Sequence, residues 1–374
     1  MSNSSEKKKT YYQSIIEKGY SRRDFIKFTT YMTAFMGFEA SMIGQVTKAM
    51  ETKKRIPVIW VHFQECTGCS ESFIRSDHPL VADLILDNIS LDYTETLMAA
   101  SGHNAEEAKQ ESMKENYGNY ILIVEGAIPM KDEGVYCTIG GRSAIDILKE
   151  SAAGAAAILT FGSCSSWGGV QAAYPNPTGS VPVSEIIKDK PIIRVPGCPP
   201  IAEVMTGVVM HYATFGRLPQ LDSLGRPKQF YGKRVHDTCY RRPNFDAGLY
   251  AESFDSQEAK DGYCLYKLGC RGPVSYNACG SMGWNNGVSF PIKSGYPCIG
   301  CSEPEFWDNG PFTERLQNVP GMGIESTADT VGKVVVGAAV GAAVVHSLAT
   351  NIAKKKELRE AEKCGEENEK NIKA

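Results

Sequence analysis

The stretch IPVIWVHFQECTGC (residues 56–69) decides the fold of this chain, because a short apolar run leads directly into a loop with two cysteines. Short apolar runs rich in β-branched residues are typical of buried strands. Four further runs of this kind follow along the chain, at residues 89–94, 120–126, 155–162 and 191–197. Between them lie helical patterns such as DHPLVADLILDN (77–88) and GRSAIDILKESAAG (141–154). This alternation predicts an α/β domain with an open, parallel, flavodoxin-like sheet.

Composition places the chain among ordinary globular proteins. Its 374 residues leave room for about two domains plus terminal segments. The formal net charge is −3, 22% of the residues are charged, and no basic stripe alternates with aromatic residues. These features argue against nucleic acid as a partner. The unusual feature is the content of twelve cysteines, which indicates either a disulfide framework in an exported protein or metal binding.

Residues 1–49 carry the pattern of a twin-arginine export signal. A polar start is followed by SRRDFIKF with adjacent Arg22 and Arg23, then by an apolar run and by small residues in VTKAM, where a signal would be cleaved. Glu39 interrupts the apolar run, and an amphipathic helix with two surface arginines is the alternative. A twin-arginine signal implies export of a protein that folded and acquired its cofactors in the reducing cytoplasm. The pattern therefore favours metal over disulfides.

Four cysteines follow the ends of three predicted strands. Cys66 and Cys69 follow the first apolar run, Cys164 follows the fourth, and Cys198 follows the fifth. Ligands of open α/β sheets bind beyond the carboxyl ends of the strands, so these thiols are expected to converge on one edge. Four thiolates there suit a cubane iron-sulfur cluster or a tetrahedral zinc ion. Neighbouring glycines would let the backbone approach the sulfur atoms, which favours the redox centre.

Beyond about residue 230 the sequence predicts loops rather than periodic elements. One histidine and six cysteines occur in this segment: His236, Cys239, Cys264, Cys270, Cys279, Cys298 and Cys301. The segment has too little apolar pattern to build a core alone, and metal clusters would supply cross-links. The eleven candidate ligands divide as four, four and three, which suits two four-iron sites and one three-iron site. Of the remaining cysteines, Cys137 is interpreted as a packed thiol and Cys364 as incidental.

These motifs, in this order, closely resemble the small subunit of nickel-iron hydrogenases of the membrane-bound, hydrogen-uptake type. The resemblance implies a proximal 4Fe-4S cluster held by Cys66, Cys69, Cys164 and Cys198. It implies a medial 3Fe-4S cluster held by Cys279, Cys298 and Cys301, with Pro291 where a fourth cysteine would otherwise stand. It implies a distal 4Fe-4S cluster held by His236, Cys239, Cys264 and Cys270.

The resemblance also implies a division of labour with a partner. The two C-x-x-C pairs lack the arginine and histidine context of nickel ligands, so dihydrogen is expected to be split in a nickel-iron large subunit and no catalytic residue is expected here. Electrons would then pass to a membrane b-type cytochrome and the quinone pool. A dimer of such heterodimers is compatible with the resemblance. Two other interpretations remain. One is a subunit of a related respiratory complex or sulfur-reducing hydrogenase, and the other is an exported disulfide or zinc protein.

Three residues near the proximal cluster carry further expectations. Oxygen-tolerant relatives resemble this pattern but have additional cysteines at the positions of Gly68 and Gly169. Glycine at both positions implies a conventional proximal cluster and an oxygen-sensitive enzyme. Glu125 matches a carboxylate that the family places near this cluster, and an exposed loop acid or a cap is the alternative.

Residues 334–353, VVVGAAVGAAVVHSLATNIA, contain no Asp, Glu, Lys or Arg and are long enough to cross a bilayer core of about 30 Å. A buried globular helix is the alternative. Lys354 and the two lysines after it place the tail in the cytoplasm and the folded part at the periplasmic face of the inner membrane. His346 is a polar residue within this segment, and we expect it to contact the cytochrome or to form a hydrogen bond with a neighbouring helix. The expected order is a signal (1–49), a flavodoxin-like domain (50–229), a loop-rich cluster domain (230–325), a transmembrane helix (330–353) and a charged tail (354–374).

Overall fold

A computed structural model describes residues 10–35, 38–52, 55–77, 85, 89–316 and 328–372. Its central sheet has five strands: β1 (Ile56–His62), β2 (Ile89–Thr94), β3 (Tyr120–Glu125), β4 (Ala155–Phe161) and β5 (Ile192–Val195). All four pairings are parallel, and the spatial order is β2-β1-β3-β4-β5. This is the flavodoxin-like order, with the topological switch point between β1 and β3. The predicted fold class is confirmed.

Burial on both faces of the sheet explains why its strands are continuously apolar. On β1, Ile59 and Trp60 point to opposite faces, and both are fully buried. Helices cover each face, as a parallel sheet requires. Ala144–Ala153 packs on the face of Ile59, and Ala202–Phe215 packs on the face of Trp60. The indole of Trp60 meets the Phe73 ring edge-on at a centroid distance of 5.0 Å.

Gly102–Glu115 is a further helix of 14 residues beside the sheet. The shorter helices described between residues 60 and 260 are Gly68–Ile74, Gly162–Trp167, Val183–Ile186, Lys228–Tyr231, Val235–Thr238, Arg242–Asp246 and Gln257–Lys260. Two antiparallel ribbons pair Ile128–Pro129 with Ser180–Val181, and Thr138–Ile139 with Arg142–Ser143. The helical pattern predicted at 77–88 lies, apart from residues 77 and 85, outside the described residues.

Residues 232–316 consist mainly of turns, as the sequence predicted, with helices of only four or five residues. Their apolar side chains do not form a separate large core. Leu265 and Ile292 instead belong to the same buried cluster as Trp60 of the sheet. The loop-rich part therefore depends on the sheet for most of its core.

The N-terminal segment forms three helices, Tyr11–Glu17, Arg22–Phe35 and Ile43–Thr52. They pack against the helix Ala202–Phe215, which covers the Trp60 face of the sheet, rather than extending into solvent. Phe38 stacks on His211 at 5.3 Å between ring centroids, while Arg22 and Arg23 stay exposed. This conformation is that of an amphipathic helix with two surface arginines, the alternative named above. A role of the segment in export remains a prediction.

The C-terminal helix runs from Ala328 to Ile372, well beyond the predicted end at residue 353. Within it, Gly332–Arg359 contains an apolar stretch long enough to cross a membrane. None of this span is buried against the rest of the chain, so the alternative of a buried globular helix is wrong. The side chain of Cys364 lies outside the described residues.

Candidate metal centres

The carboxyl edge of the sheet brings the first four candidate ligands together. Cys66 lies in the loop after β1, and Cys69 lies in the first turn of the helix that follows. Cys164 follows β4 and Cys198 follows β5. All four line one cavity together with Glu125. We call these four cysteines the proximal group.

Glycines keep the space around the proximal group open. A Cβ atom at Gly169 would lie 2.6 Å from Cys164 Sγ, and one at Gly68 would lie 3.1 Å from Cys66 Sγ. At Gly162 the distance to Cys69 Sγ would be 2.5 Å. Side chains at these positions would therefore press on the sulfur atoms. The backbone at Gly162 and Gly169 also has a positive φ, which other residues adopt at a cost.

Glu125 holds the first turn of the helix that carries Cys69. Its side chain is 1% exposed and accepts hydrogen bonds from the backbone N–H of Cys69 (3.0 Å) and of Ser70 (3.3 Å). The Ser70 hydroxyl donates to the other carboxylate oxygen at 2.7 Å, and His62 Nε2 lies 3.0 Å from that hydroxyl. The alternative of an exposed loop acid is wrong, because Glu125 pairs with His62 inside the sheet. The alternative of a cap is confirmed.

The cap has two members that the sequence did not reveal. His62 and Ser70 stand in the same stretch as the cysteines, but neither belongs to a periodic or spaced motif. Their contact arises because β3 lies beside β1 in the sheet. Only the pairing of strands could have identified them.

A second cavity is lined by His236, Cys239, Cys264 and Cys270, which we call the distal group. The imidazole of His236 is 6% exposed, and its Nε2 has no hydrogen-bond partner. Burial lowers the pKa of His236 to about 4, so the ring is neutral at physiological pH. A neutral imidazole is a metal ligand. The Arg241 N–H donates to Cys239 Sγ at 3.4 Å.

The medial group, Cys279, Cys298 and Cys301, lies between the two cavities. The hydroxyl of Ser163, which lines the proximal cavity beside Cys164, donates to the carbonyl of Cys301 and joins the medial group to the proximal group. The backbone N–H of Arg271, the neighbour of Cys270, donates to the carbonyl of Cys298 at 2.7 Å and joins the medial group to the distal group. The three groups therefore form one continuous row. Pro291 is exposed and begins a turn in which its carbonyl accepts from the Tyr296 N–H.

The donor sets fit iron-sulfur clusters. Burial raises the pKa of Cys164 and Cys301 to about 12 and that of Cys264 to about 11. A thiolate at such depth requires a compensating positive charge, which iron provides. The sulfur atoms surround cavities, and among the described residues no three His, Cys, Asp or Glu side chains meet at a single-ion site. This spread suits a multinuclear cluster better than a tetrahedral zinc ion.

The other described cysteine is Cys137, which lines neither cavity. It is half-buried, packs against the core on the Ile59 face, and its pKa is raised to about 11 by burial. The interpretation as a packed thiol agrees with these contacts. All eleven cysteines whose side chains are described are free thiols, so no disulfide framework links them.

Comparison with known proteins identifies the family. Residues 231–313 match the family described as the C-terminal part of the NiFe/NiFeSe hydrogenase small subunit, and residues 66–212 match the NADH ubiquinone oxidoreductase, 20 Kd subunit family. The uptake hydrogenase small subunit of Azotobacter vinelandii is 54% identical over 343 residues, which cover 92% of this chain and 96% of that protein. This chain belongs to the small subunits of nickel-iron uptake hydrogenases.

Other members of the hydrogenase family agree with this assignment. The hydrogenase-1 small chain of Citrobacter freundii is 50% identical over 364 residues, covering 96% of this chain and 97% of that one. The crystal structure of the Ni-Fe-Se hydrogenase from Desulfomicrobium baculatum contains a chain that superposes with a TM-score of 0.67 at 36% identity, covering 70% of this chain and 100% of that chain. As a hydrogenase small subunit, this chain is the electron-transfer partner of a nickel-iron large subunit. The hydrogenase-specific match over the loop-rich part removes the interpretation as a respiratory-complex subunit.

Proposed function

We propose that this hydrogenase small subunit passes electrons from hydrogen oxidation in the large subunit, through three iron-sulfur clusters, to a membrane b-type cytochrome and the quinone pool. In this proposal the proximal and distal groups each hold a 4Fe-4S cluster, and the medial group holds a 3Fe-4S cluster. The observation that supports it best is the continuous row of the three groups, joined by the hydrogen bonds from Ser163 to the Cys301 carbonyl and from Arg271 to the Cys298 carbonyl.

The clusters would supply one-electron redox chemistry, and residues of this chain would adjust it. Backbone N–H groups that donate to sulfur stabilise added negative charge, as Arg241 does at Cys239 and Gly300 does at Cys298, at 3.4 Å each. The buried carboxylate of Glu125 has the opposite effect at the proximal group. The chain therefore provides different electrostatic surroundings for each group.

Glycine at positions 68 and 169 supports a conventional proximal cluster. A Cβ atom at position 68 or 169 would lie 3.1 or 2.6 Å from a proximal sulfur atom, so a cysteine at either position would stand beside the cluster. Because glycine has no thiol, the proximal group has four thiols. The proposed consequence is an oxygen-sensitive enzyme.

The location of the protein is proposed from its two ends. The exposed apolar helix Gly332–Arg359 would anchor it in the inner membrane, with the clusters on the periplasmic side. His346 within this helix would face the cytochrome. The arginine pair at 22–23 is exposed on its helix, which suits recognition by a twin-arginine export system. A dimer of heterodimers would place two such anchors side by side.

The decisive experiment is an iron and sulfide assay with EPR spectroscopy on the anaerobically purified heterodimer. The proposal requires about 11 irons per small subunit and an oxidised three-iron signal, with nickel in the large subunit. Cys164→Ser should reduce the iron count by about 4, whereas Cys137→Ser, the matched control, should leave it unchanged. Zinc in place of iron, or oxidised cysteines without metal, would refute the proposal.

A further inference from the structure

Arg226 is a buried cation at the boundary between the sheet and the loop-rich part. It is 3% exposed, although arginine is seldom buried to this extent unless it is paired. Its Nε donates to Asp222 Oδ2 at 2.8 Å. The other oxygen of Asp222 accepts from the backbone N–H of Leu224 and Arg226, at 2.9 and 2.8 Å. Contacts within the turn at 222–226 therefore already hold the guanidinium in one orientation, without help from another segment.

On its other side, the guanidinium contacts the chain that carries the medial group. Arg226 Nη1 lies 3.0 Å from each carboxylate oxygen of Glu303, two residues after Cys301. Glu303 in turn accepts from the backbone N–H of Tyr276 at 2.6 Å, three residues before Cys279. The Glu303 carboxylate thus connects the segment of Cys279 with the segment of Cys301, and its ion pair with Arg226 holds the carboxylate in that orientation.

Two aromatic rings complete this connection. The Arg226 guanidinium lies 5.6 Å from the ring centroids of both Tyr231 and Tyr276. The Tyr231 hydroxyl donates to the carbonyl of Pro196 at 2.8 Å, two residues before Cys198. Tyr231 therefore also links the Arg226 guanidinium to the loop that carries the proximal Cys198.

We infer that the Arg226–Glu303 ion pair is a positioning device for the medial group, setting the distance between Cys279 and Cys301. The inference rests on the proposed function, because it presupposes a three-iron site there. Between these cysteines the chain consists of turns without a helix of four or more residues or a sheet, so no regular hydrogen-bond pattern sets their separation. A buried guanidinium–carboxylate pair is directional and can supply the missing constraint. Arg226 is not itself among the proposed ligands.

The test uses the complete heterodimer, purified anaerobically, with Arg226→Met and Arg226→Lys. In Arg226→Met the three-iron EPR signal should be lost and the iron count should fall from about 11 to about 8, while both four-iron signals remain. Arg226→Lys keeps the charge without the planar fork, and it should recover part of the three-iron signal with a shifted potential. Arg142→Met, which breaks the exposed pair between Arg142 and Glu150, is the control and should change neither signal nor iron count.

Each other outcome is informative. An unchanged three-iron signal in Arg226→Met would overturn the inference. If Arg226→Met fails to assemble, Glu303→Gln, which keeps the shape of the side chain, decides: selective loss of the three-iron signal supports the inference, and equal loss of all cluster signals overturns it. A wild-type heterodimer without a three-iron signal would instead refute the proposed function.

Discussion

Replacing Glu125 with glutamine should raise the reduction potential of a proximal cluster. The side chain accepts three hydrogen bonds, two of them from the backbone of Cys69 and Ser70, which is the pattern of an ionised carboxylate. The carboxylate lines the same cavity as the four proximal cysteines, so its charge acts on a cluster held there. For two unit charges about 7 Å apart at an effective dielectric constant of about 20, the repulsion is about 2.4 kcal/mol, equivalent to about 100 mV for one electron.

The assay is an EPR-monitored redox titration of the anaerobic heterodimer. Glu125→Gln should shift the proximal potential upward by about 50 to 100 mV, the lower figure allowing for solvent screening at the cavity mouth. Glu125→Asp keeps the charge and should shift it less. Glu150→Gln removes an exposed carboxylate from the helix Ala144–Ala153 and serves as the control.

A proximal potential that stays at the wild-type value in Glu125→Gln would refute this electrostatic reasoning. The same would be true if Glu125→Asp and Glu125→Gln shifted it equally, because the effect would then come from geometry rather than charge. The medial and distal potentials provide an internal reference, since both lie beyond the proximal group in the row.

Three further predictions concern a glycine, a histidine and the anchor. Gly169→Ala should prevent assembly of the proximal cluster, because its Cβ would lie 2.6 Å from Cys164 Sγ. The control Gly141→Ala also lies at positive φ but has open space around it, and it should keep the full iron content. Burial lowers the pKa of His211 to about 4, so the unfolded chain binds the additional proton and stability should fall as the pH drops from about 6.5 toward 4. Between pH 7 and 5.5 the loss should be about 1 kcal/mol, visible as a smaller fall in melting temperature for His211→Gln than for wild type. Deleting residues 328–372 should release the heterodimer from membranes with its iron count unchanged, and retention on the membrane would contradict the assignment of the anchor.

The five strands were predictable because parallel strands covered on both faces must be apolar along their whole length. The prediction of β2 agrees with the structure at both ends, and the other four differ by at most two residues. Convergence of the proximal group was predictable for the same reason, since parallel strands share one carboxyl edge. The C-terminal helix was recognisable from composition, although its continuation through Lys354 to Ile372 was not.

The loop-rich part was less predictable. Its candidate ligands could be counted from the sequence, and their proposed division into a medial and a distal group came from the resemblance to hydrogenases. The row in which they lie depends on contacts such as the hydrogen bond from Ser163 to the Cys301 carbonyl, which joins residues 138 positions apart in a chain without periodic signal around Cys301. Turns place residues individually, so no local rule fixes such distances.

The sequence by itself determined the class of fold and the family, and it predicted the candidate ligands and the apolar C-terminal helix, because each depends on a local pattern of apolar spacing or of cysteines. Only the tertiary structure decided that Glu125 is a buried cap and that Arg226 joins Asp222 to Glu303. A lone carboxylate or guanidinium has no pattern in sequence, since its partners lie on other strands and turns. Its role follows from burial, which makes an unpaired charge costly and therefore requires a partner wherever the fold supplies one.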